Sequence, residues 1–291
     1  MTAHSSVGVK FKRERQQQER WSGRIYLLAL GIFAFIWMLP VVWTVVTSFR
    51  PEPALQRNLA SLIPYPFTIE NWTFILSSSL LWKWFGNSVV VSTTHTLAQL
   101  TVCSLAAYAF ARLDFYFKRP LYIMVLIGLM VPFEATFLPV YLLFSNLELH
   151  NTLLALILPG IASSFAVFLM TQFFRGIPKE LEEAAMMDGA GRFRIFLTII
   201  IPLSMPVITA LAIFTFLGNW NSYLWPIISA TSSEVYTIVI GLRKVTQAWG
   251  DVNFYGRDMA AAVFTAMPII IFFFVFQRRI ISGIAINSGI K

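Results

Sequence analysis

From Ile25 to Phe49 the chain runs through 25 residues without one charged side chain. At 1.5 Å per residue a helix of that length outreaches a hydrocarbon core of about 30 Å. Inside lipid, every backbone N–H and C=O must find a partner within the protein, which leaves only helices and closed barrels. The run is too long for a signal-peptide core and is expected to remain as a first span. Similar apolar runs recur, and the layout they predict is an all-α membrane protein with six spans. These lie at about 25–49, 85–111, 120–144, 152–174, 195–225 and 258–276. Composition agrees, since 57% of residues are hydrophobic and 12% charged, against roughly 25% charged in soluble domains.

Charge placement orients the layout. Six Lys/Arg fall in a basic tail, 1–24, and three at Arg112, Lys118 and Arg119. Four more lie in the loop 175–194 (Arg175, Lys179, Arg192, Arg194), and three near the end at Arg278, Arg279 and Lys291. With both termini on one side, that side carries 16 of 22. The positive-inside rule makes it the cytoplasm, so both termini, the tail 280–291 and the loop 175–194 are expected there. The N-terminal tail reads as a solvated segment touching anionic lipid headgroups. The net charge of +8 flanks spans and forms no basic domain, so no nucleic-acid partner is expected. Cys103 is the only cysteine, which rules out an internal disulfide.

Polar residues within the spans are costly and therefore informative. Ser92, His95, Thr96, Gln99 and Cys103 recur at helical spacing and should face other helices, with His95 as an interhelical hydrogen-bonding group. Glu134 sits between Pro132 and Pro139. A straight third span places it about 21 Å from the helix start, toward the outer side. There it is placed to pair with Lys83 or an outer-loop Arg, in a gate or on the solute path. Trp72, Trp82 and Trp84 follow a Pro-rich outer connection and suit the membrane boundary. The uncharged stretch Ile195–Ser233 has 39 residues, more than one span needs. Pro202 and Pro206 should kink or interrupt it.

Between the fourth and fifth spans lies Glu182-Glu183-Ala184-Ala185-Met186-Met187-Asp188-Gly189. Pro178 suits a first helical position. Glu180, Glu182 and Glu183 favour the positive end of the helix dipole. Leu181, Ala184, Ala185 and Asp188 share one shallow side, and Gly189 can end the helix in a left-handed conformation. The pattern Glu183-Ala184-Ala185, three residues, Gly189, nine residues, Ile199, one residue, Ile201-Pro202 resembles the signature loop of bacterial ABC-importer permeases. Ile201 stands where that family has Leu. The resemblance implies a type I importer permease fold. It also implies a cytoplasmic coupling helix docked on an ATP-hydrolysing subunit through Leu181, Glu182, Glu183, Ala184, Ala185, Met187, Asp188 and Gly189. A bare amphipathic interfacial helix is the competing reading.

No phosphate-cradling glycine loop ending in Gly-Lys-Ser/Thr occurs. No nucleotide is therefore expected on this chain, and His4, His95 and His150 fall at different expected depths, so no metal or other cofactor is expected either; the resemblance implies that ATP and Mg belong on the partner ATPase. The segment Gly218-Asn219-Trp220-Asn221-Ser222-Tyr223-Leu224-Trp225-Pro226 combines aromatic faces with neutral amides and a hydroxyl, which suits sugars. Asn219, Asn221, Ser222, Tyr223 and Glu134 are the solute-path candidates. The alternative is an aromatic belt with helix-capping amides. Trp220-Asn221, Ala106 to Arg112, and the C-terminal tail resemble the carbohydrate branch, and within it the second six-span permease of a pair. That branch includes glycerol phosphate and polyol importers. The resemblance further implies a companion permease, an ATPase dimer, an extracytoplasmic solute-binding protein and alternating access in the bacterial inner membrane. An ion-coupled secondary transporter is one alternative; it calls for buried ion-binding groups, and here Glu134 stands alone. A membrane enzyme acting on lipid or glycan is another; it calls for acids or histidines clustered at one interface, and here the acids are scattered or lie in the loop 175–194.

Overall fold

The computed structural model describes residues 4–248 and 254–287, with side chains over 26–244 and 254–274. All regular structure among the described residues is helical. In order these are α1 His4–Ser48, α2 Glu52–Arg57, α3 Glu70–Leu76, α4 Ser79–Arg112, α5 Lys118–Gly128, α6 Phe133–Asn146 and α7 Leu153–Ile157. Then come α8 Ser164–Arg175, α9 Glu180–Met187, α10 Arg192–Leu203, α11 Met205–Trp220, α12 Leu224–Ser229, α13 Ile238–Ala248 and α14 Tyr255–Asn287.

Among the described residues, three helices carry uninterrupted segments of spanning length and apolarity: Tyr26–Ser48, Ser79–Arg112 and Tyr255–Phe274. Two helix pairs meet the same test only when taken together, each bent at a short break in the manner of a broken span or a re-entrant loop. α5 and α6 meet at 103°, and α10 and α11 at 77°. The second break confirms the interruption expected near Pro202 and Pro206. A π-helical turn, Phe196–Ile200, precedes Pro202, which has no N–H to donate and crowds the carbonyl of Thr198 four residues back.

Four differences from the sequence reading have local causes. The expected span 152–174 is two helices, α7 and α8, of 5 and 12 residues. Gly160 after Pro159 takes φ +85°, and Ser163 caps α8 by accepting from the Ala166 N–H at 3.3 Å. The expected straight third span breaks at 129–132, so Glu134 opens α6 instead of lying deep in one helix. The helix of the first span extends back through the basic tail to His4. The helix of the last span runs on past Gln277-Arg278-Arg279 to Asn287. Lys, Arg, Gln and Glu are good helix formers, so charge ends the apolar stretch without ending the helix. The side chains of 1–24 and 275–291, and residue Asp251, lie outside the described side chains.

The chain forms two units. One comprises 1–75 and 254–263. Within it, Asn71 Nδ2 donates to the Ser48 and Arg50 carbonyls at 3.1 and 2.9 Å, closing the end of α1. The Glu52 carboxylate accepts from the N–H groups of Tyr255 and Gly256.

The other unit comprises 76–253 and 264–291 and is organised on α4, against which α7, α8, α11 and α13 pack. Ala107 and Ala166 are fully buried, which brings α4 and α8 close together beside Cys103, Met170 and Phe174. The predicted polar stripe is buried in full: Ser92, His95, Thr96, Gln99 and Cys103 all face inward. His95 Nδ1 lies 2.7 Å from the Ile157 carbonyl and Nε2 lies 3.0 Å from Gln99 Oε1. His95 is thus the interhelical group expected.

Candidate functional site

α9 is short, and its two ends are built differently. Its acidic first turn holds Glu180, Glu182 and Glu183 at the positive end of the dipole, with Lys179 as the residue before it. Pro178 lies two residues before the first helical residue, where it was expected to stand. At the other end Gly189 takes φ +82°. The Gly189 N–H donates to the Met186 carbonyl at 3.0 Å and the Ala190 N–H to the Ala185 carbonyl at 2.9 Å. This pair of bonds is the Schellman termination, and it bears out the left-handed turn assigned to Gly189.

The faces of α9 divide sharply. Leu181 is 43% and Met187 89% exposed. Glu183, Ala184, Asp188 and Gly189 are exposed as well. Ala185 and Met186 are half-buried against the core formed by α4, α8 and α10. Glu182 corrects the sequence reading, which placed it among the partner-facing residues. Its side chain is 4% exposed and forms an ion pair with Arg112, whose own side chain is 3% exposed. Arg112 Nε lies 2.7 Å from Glu182 Oε1. Helical spacing explains this: Glu182, Ala185 and Met186 are at i, i+3 and i+4 and share the inward side.

Arg112 is the residue that sequence reasoning missed. It is the last residue of α4, and its Nη2 also donates to the carbonyls of Phe174, at 2.6 Å, and Ile177. One signal was available, a charged residue ending a small-residue run and a surplus Glu beside the motif. Nearby, Tyr108 donates to the Arg192 carbonyl at 3.3 Å, and Phe193 is exposed. An apolar groove of about 280 Å³ lies between α4 and α10, lined by Leu100, Ser104, Phe193 and Phe196 among others. It contains none of the solute-path candidates.

Four of those candidates, Asn219, Asn221, Ser222 and Tyr223, sit at the end of α11. The helix stops at Trp220, so Asn221, Ser222 and Tyr223 lie beyond it and a single continuous helix does not carry the segment Gly218–Pro226. Asn219 and Asn221 fold back to donate to the carbonyls of Thr215 and Leu217, each at 3.0 Å. The Leu217 carbonyl also accepts from the Asn221 N–H at 3.1 Å, so these amides add second bonds to carbonyls near the helix end. Trp220 and Trp225 are buried and donate to the carbonyls of Thr265 and Ala155. Neither forms part of an aromatic belt. Tyr223 is 40% exposed. Glu134 is exposed in the first turn of α6. Lys83, one of the partners considered for Glu134, pairs with Glu234 instead. Trp84 is also buried, donating to the Ser233 carbonyl at 2.8 Å.

Residues 99–286 match the family of binding-protein-dependent transport system inner membrane components. The arabinooligosaccharides transport system permease protein AraQ of Halalkalibacterium halodurans is 39% identical over 271 residues, which are 91% of this chain and 96% of that one. The sn-glycerol-3-phosphate transport system permease protein UgpE of Shigella flexneri is 32% identical, over 89% of this chain and 93% of that one. In structure, a bacterial ABC transporter involved in the import of the acidic polysaccharide alginate superposes with a TM-score of 0.81 at 22% identity. That match covers 90% of this chain and 97% of its counterpart and establishes a shared fold.

Proposed function

We propose, from the premise that this chain belongs to the binding-protein-dependent inner-membrane components, the permeases of ABC importers, that it carries an oligosaccharide or sugar across the bilayer. The chain is the importer's permease and a multi-pass inner-membrane protein, and it is not the ATPase.

The observation that carries the mechanism is the exposed face of α9, made of Leu181, Glu183, Ala184, Met187, Asp188 and Gly189. An apolar side chain as open as Met187 gains by burial against a partner. This face docks on an ATP-binding subunit, one of a pair, where ATP and Mg reside. A second, homologous permease completes the path, and a solute-binding protein delivers from outside. Counting α7 and α8 as one interrupted crossing gives six, with both termini and the loop 175–194 cytoplasmic. In this reading 1–24 and 280–291 are cytoplasmic tails and 25–279 is the permease domain.

For the solute, Asn219, Asn221, Ser222 and Tyr223 offer neutral hydrogen-bonding groups and one aromatic face at the outer end of α11. A phosphate-bearing solute calls for Arg or Lys on its path. Neutral groups therefore favour a sugar over a glycerol phosphate, and the identity to an arabinooligosaccharide permease agrees in direction. Competition uptake decides: cells dependent on this importer should lose labelled arabino-oligosaccharide uptake to excess unlabelled oligosaccharide and not to excess glycerol 3-phosphate. The reverse pattern would move the chain to the phosphate-transporting group.

A further inference from the structure

We propose that Arg112 is a positioning residue for energy coupling, a single guanidinium that locks the coupling helix to the ends of two transmembrane helices. The inference rests on the reading that α9 docks on the ATPase. Its basis is the way α9 is held.

α9 has eight residues, and Glu182 is its one buried side chain. Its inward anchor is therefore an ion pair more than an apolar contact. The other half of that pair stands at the C-terminus of α4. The same guanidinium reaches the Phe174 carbonyl in the last turn of α8 and the Ile177 carbonyl in the loop that leads into α9. The Phe174 carbonyl already accepts from the Ile177 N–H at 3.2 Å, so the guanidinium takes its second lone pair, while the Ile177 carbonyl lies in the loop beyond the helix end. The planar fork of Arg presents several donors at fixed angles, which a Lys ammonium does not reproduce. Four pieces of chain meet on one side chain: the end of α4, the end of α8, the connecting loop and α9.

Burying such a pair is a weak way to stabilise a fold. Replacing both charges with well-packed apolar residues is often neutral or stabilising. What the pair supplies is direction and register. A displacement imposed on the exposed face of α9 moves Glu182, and Arg112 transmits that motion to the ends of α4 and α8. α4 is the helix on which this unit is organised, so the transmitted motion reaches the core.

The test uses the whole transporter in liposomes: this chain, its companion permease, the ATPase, and the binding protein purified with the solute it carries. The readout is ATP hydrolysis with binding protein divided by hydrolysis without it. Glu182→Gln keeps shape and removes charge. It should assemble and retain basal hydrolysis, while stimulation falls about tenfold, within the usual range of coupling effects. Arg112→Met combined with Glu182→Leu should recover the melting temperature of the complex without recovering stimulation. Stimulation within about twofold of wild type in either assembled variant would overturn the proposal. Failure of all variants to assemble would overturn it as well, by making the pair an element of folding. A wild-type complex that shows no stimulation would sink the docking role of α9 itself, a result separate from either of these.

Discussion

Gln99 of α4 and Thr215 of α11 are joined by a side-chain hydrogen bond, Nε2 to Oγ1, at 3.2 Å across two membrane-spanning segments. One turn earlier on α4, His95 reaches both Gln99 and the Ile157 carbonyl, so the contact belongs to a chain of polar groups linking α7, α4 and α11. Polar bonds between helices in a bilayer contribute about 0.6 kcal/mol on average and up to about 1.7. Gln99→Leu should therefore cost about 1 kcal/mol and lower the melting temperature of the purified complex, because it also strands His95 Nε2. Thr101→Val, on an exposed position whose hydroxyl bonds only its own helix at Leu97, should leave melting unchanged. Equal melting of Gln99→Leu and wild type would remove this network from the stabilising contacts.

That stripe was legible because a polar residue in lipid has few options, and 3.6-residue spacing says which side it occupies. The break near Pro202 was legible for the same reason, since Pro removes a donor wherever it sits. The division of 152–174 was not read, although Pro159-Gly160 carried the signal, because the apolar run continues across it. The belt alternative for Trp220 and Trp225 stayed open in the sequence because an indole suits both a membrane interface and a core with an acceptor in reach. Only tertiary structure puts the Thr265 and Ala155 carbonyls beside them. Glu182 needed Arg112, 70 positions earlier in the chain, and no local pattern brings those two residues together.

At Gly189 the backbone alone decides the outcome. A Cβ built there meets nothing within 4 Å, so space is not the constraint, while φ +82° is. A left-handed residue with a Cβ costs roughly 1–2 kcal/mol, and a β-branched one more. Gly189→Val should therefore unseat the termination of α9 and abolish most uptake at normal membrane levels of the protein. Gly189→Asn, which tolerates this region, should keep most of it. Normal uptake by Gly189→Val would show that the turn is not needed in transport.

Met187 separates docking from folding. Its side chain is 89% exposed, so a polar replacement removes almost nothing from the interior of this chain. Surface changes of that kind usually shift stability by less than about 0.5 kcal/mol. Met187→Glu should leave the level and melting of the permease pair near wild type. Recovery of the ATP-binding subunit in mild detergent should nevertheless fall roughly tenfold or more, as when a central apolar anchor is lost from an interface. Undiminished recovery would move the docking surface away from this end of α9.

The turn after α11 carries the solute question, and two of its residues separate capping from recognition. Asn221 donates to the Leu217 carbonyl, so Asn221→Ala removes a cap on an exposed acceptor that water can replace. The stability cost should be at most about 1 kcal/mol. Tyr223 makes no such bond among the described hydrogen bonds, and its partly open ring is the best apolar face for sugar C–H groups. If the turn lines the path, Tyr223→Ala should slow uptake about tenfold, while Tyr223→Phe keeps the ring and most of the rate. Both should leave binding-protein stimulation of ATP hydrolysis near wild type, because the solute meets this turn after delivery. Equal uptake by Tyr223→Ala and wild type, with the protein present at the same level, would assign the solute contacts to the companion permease.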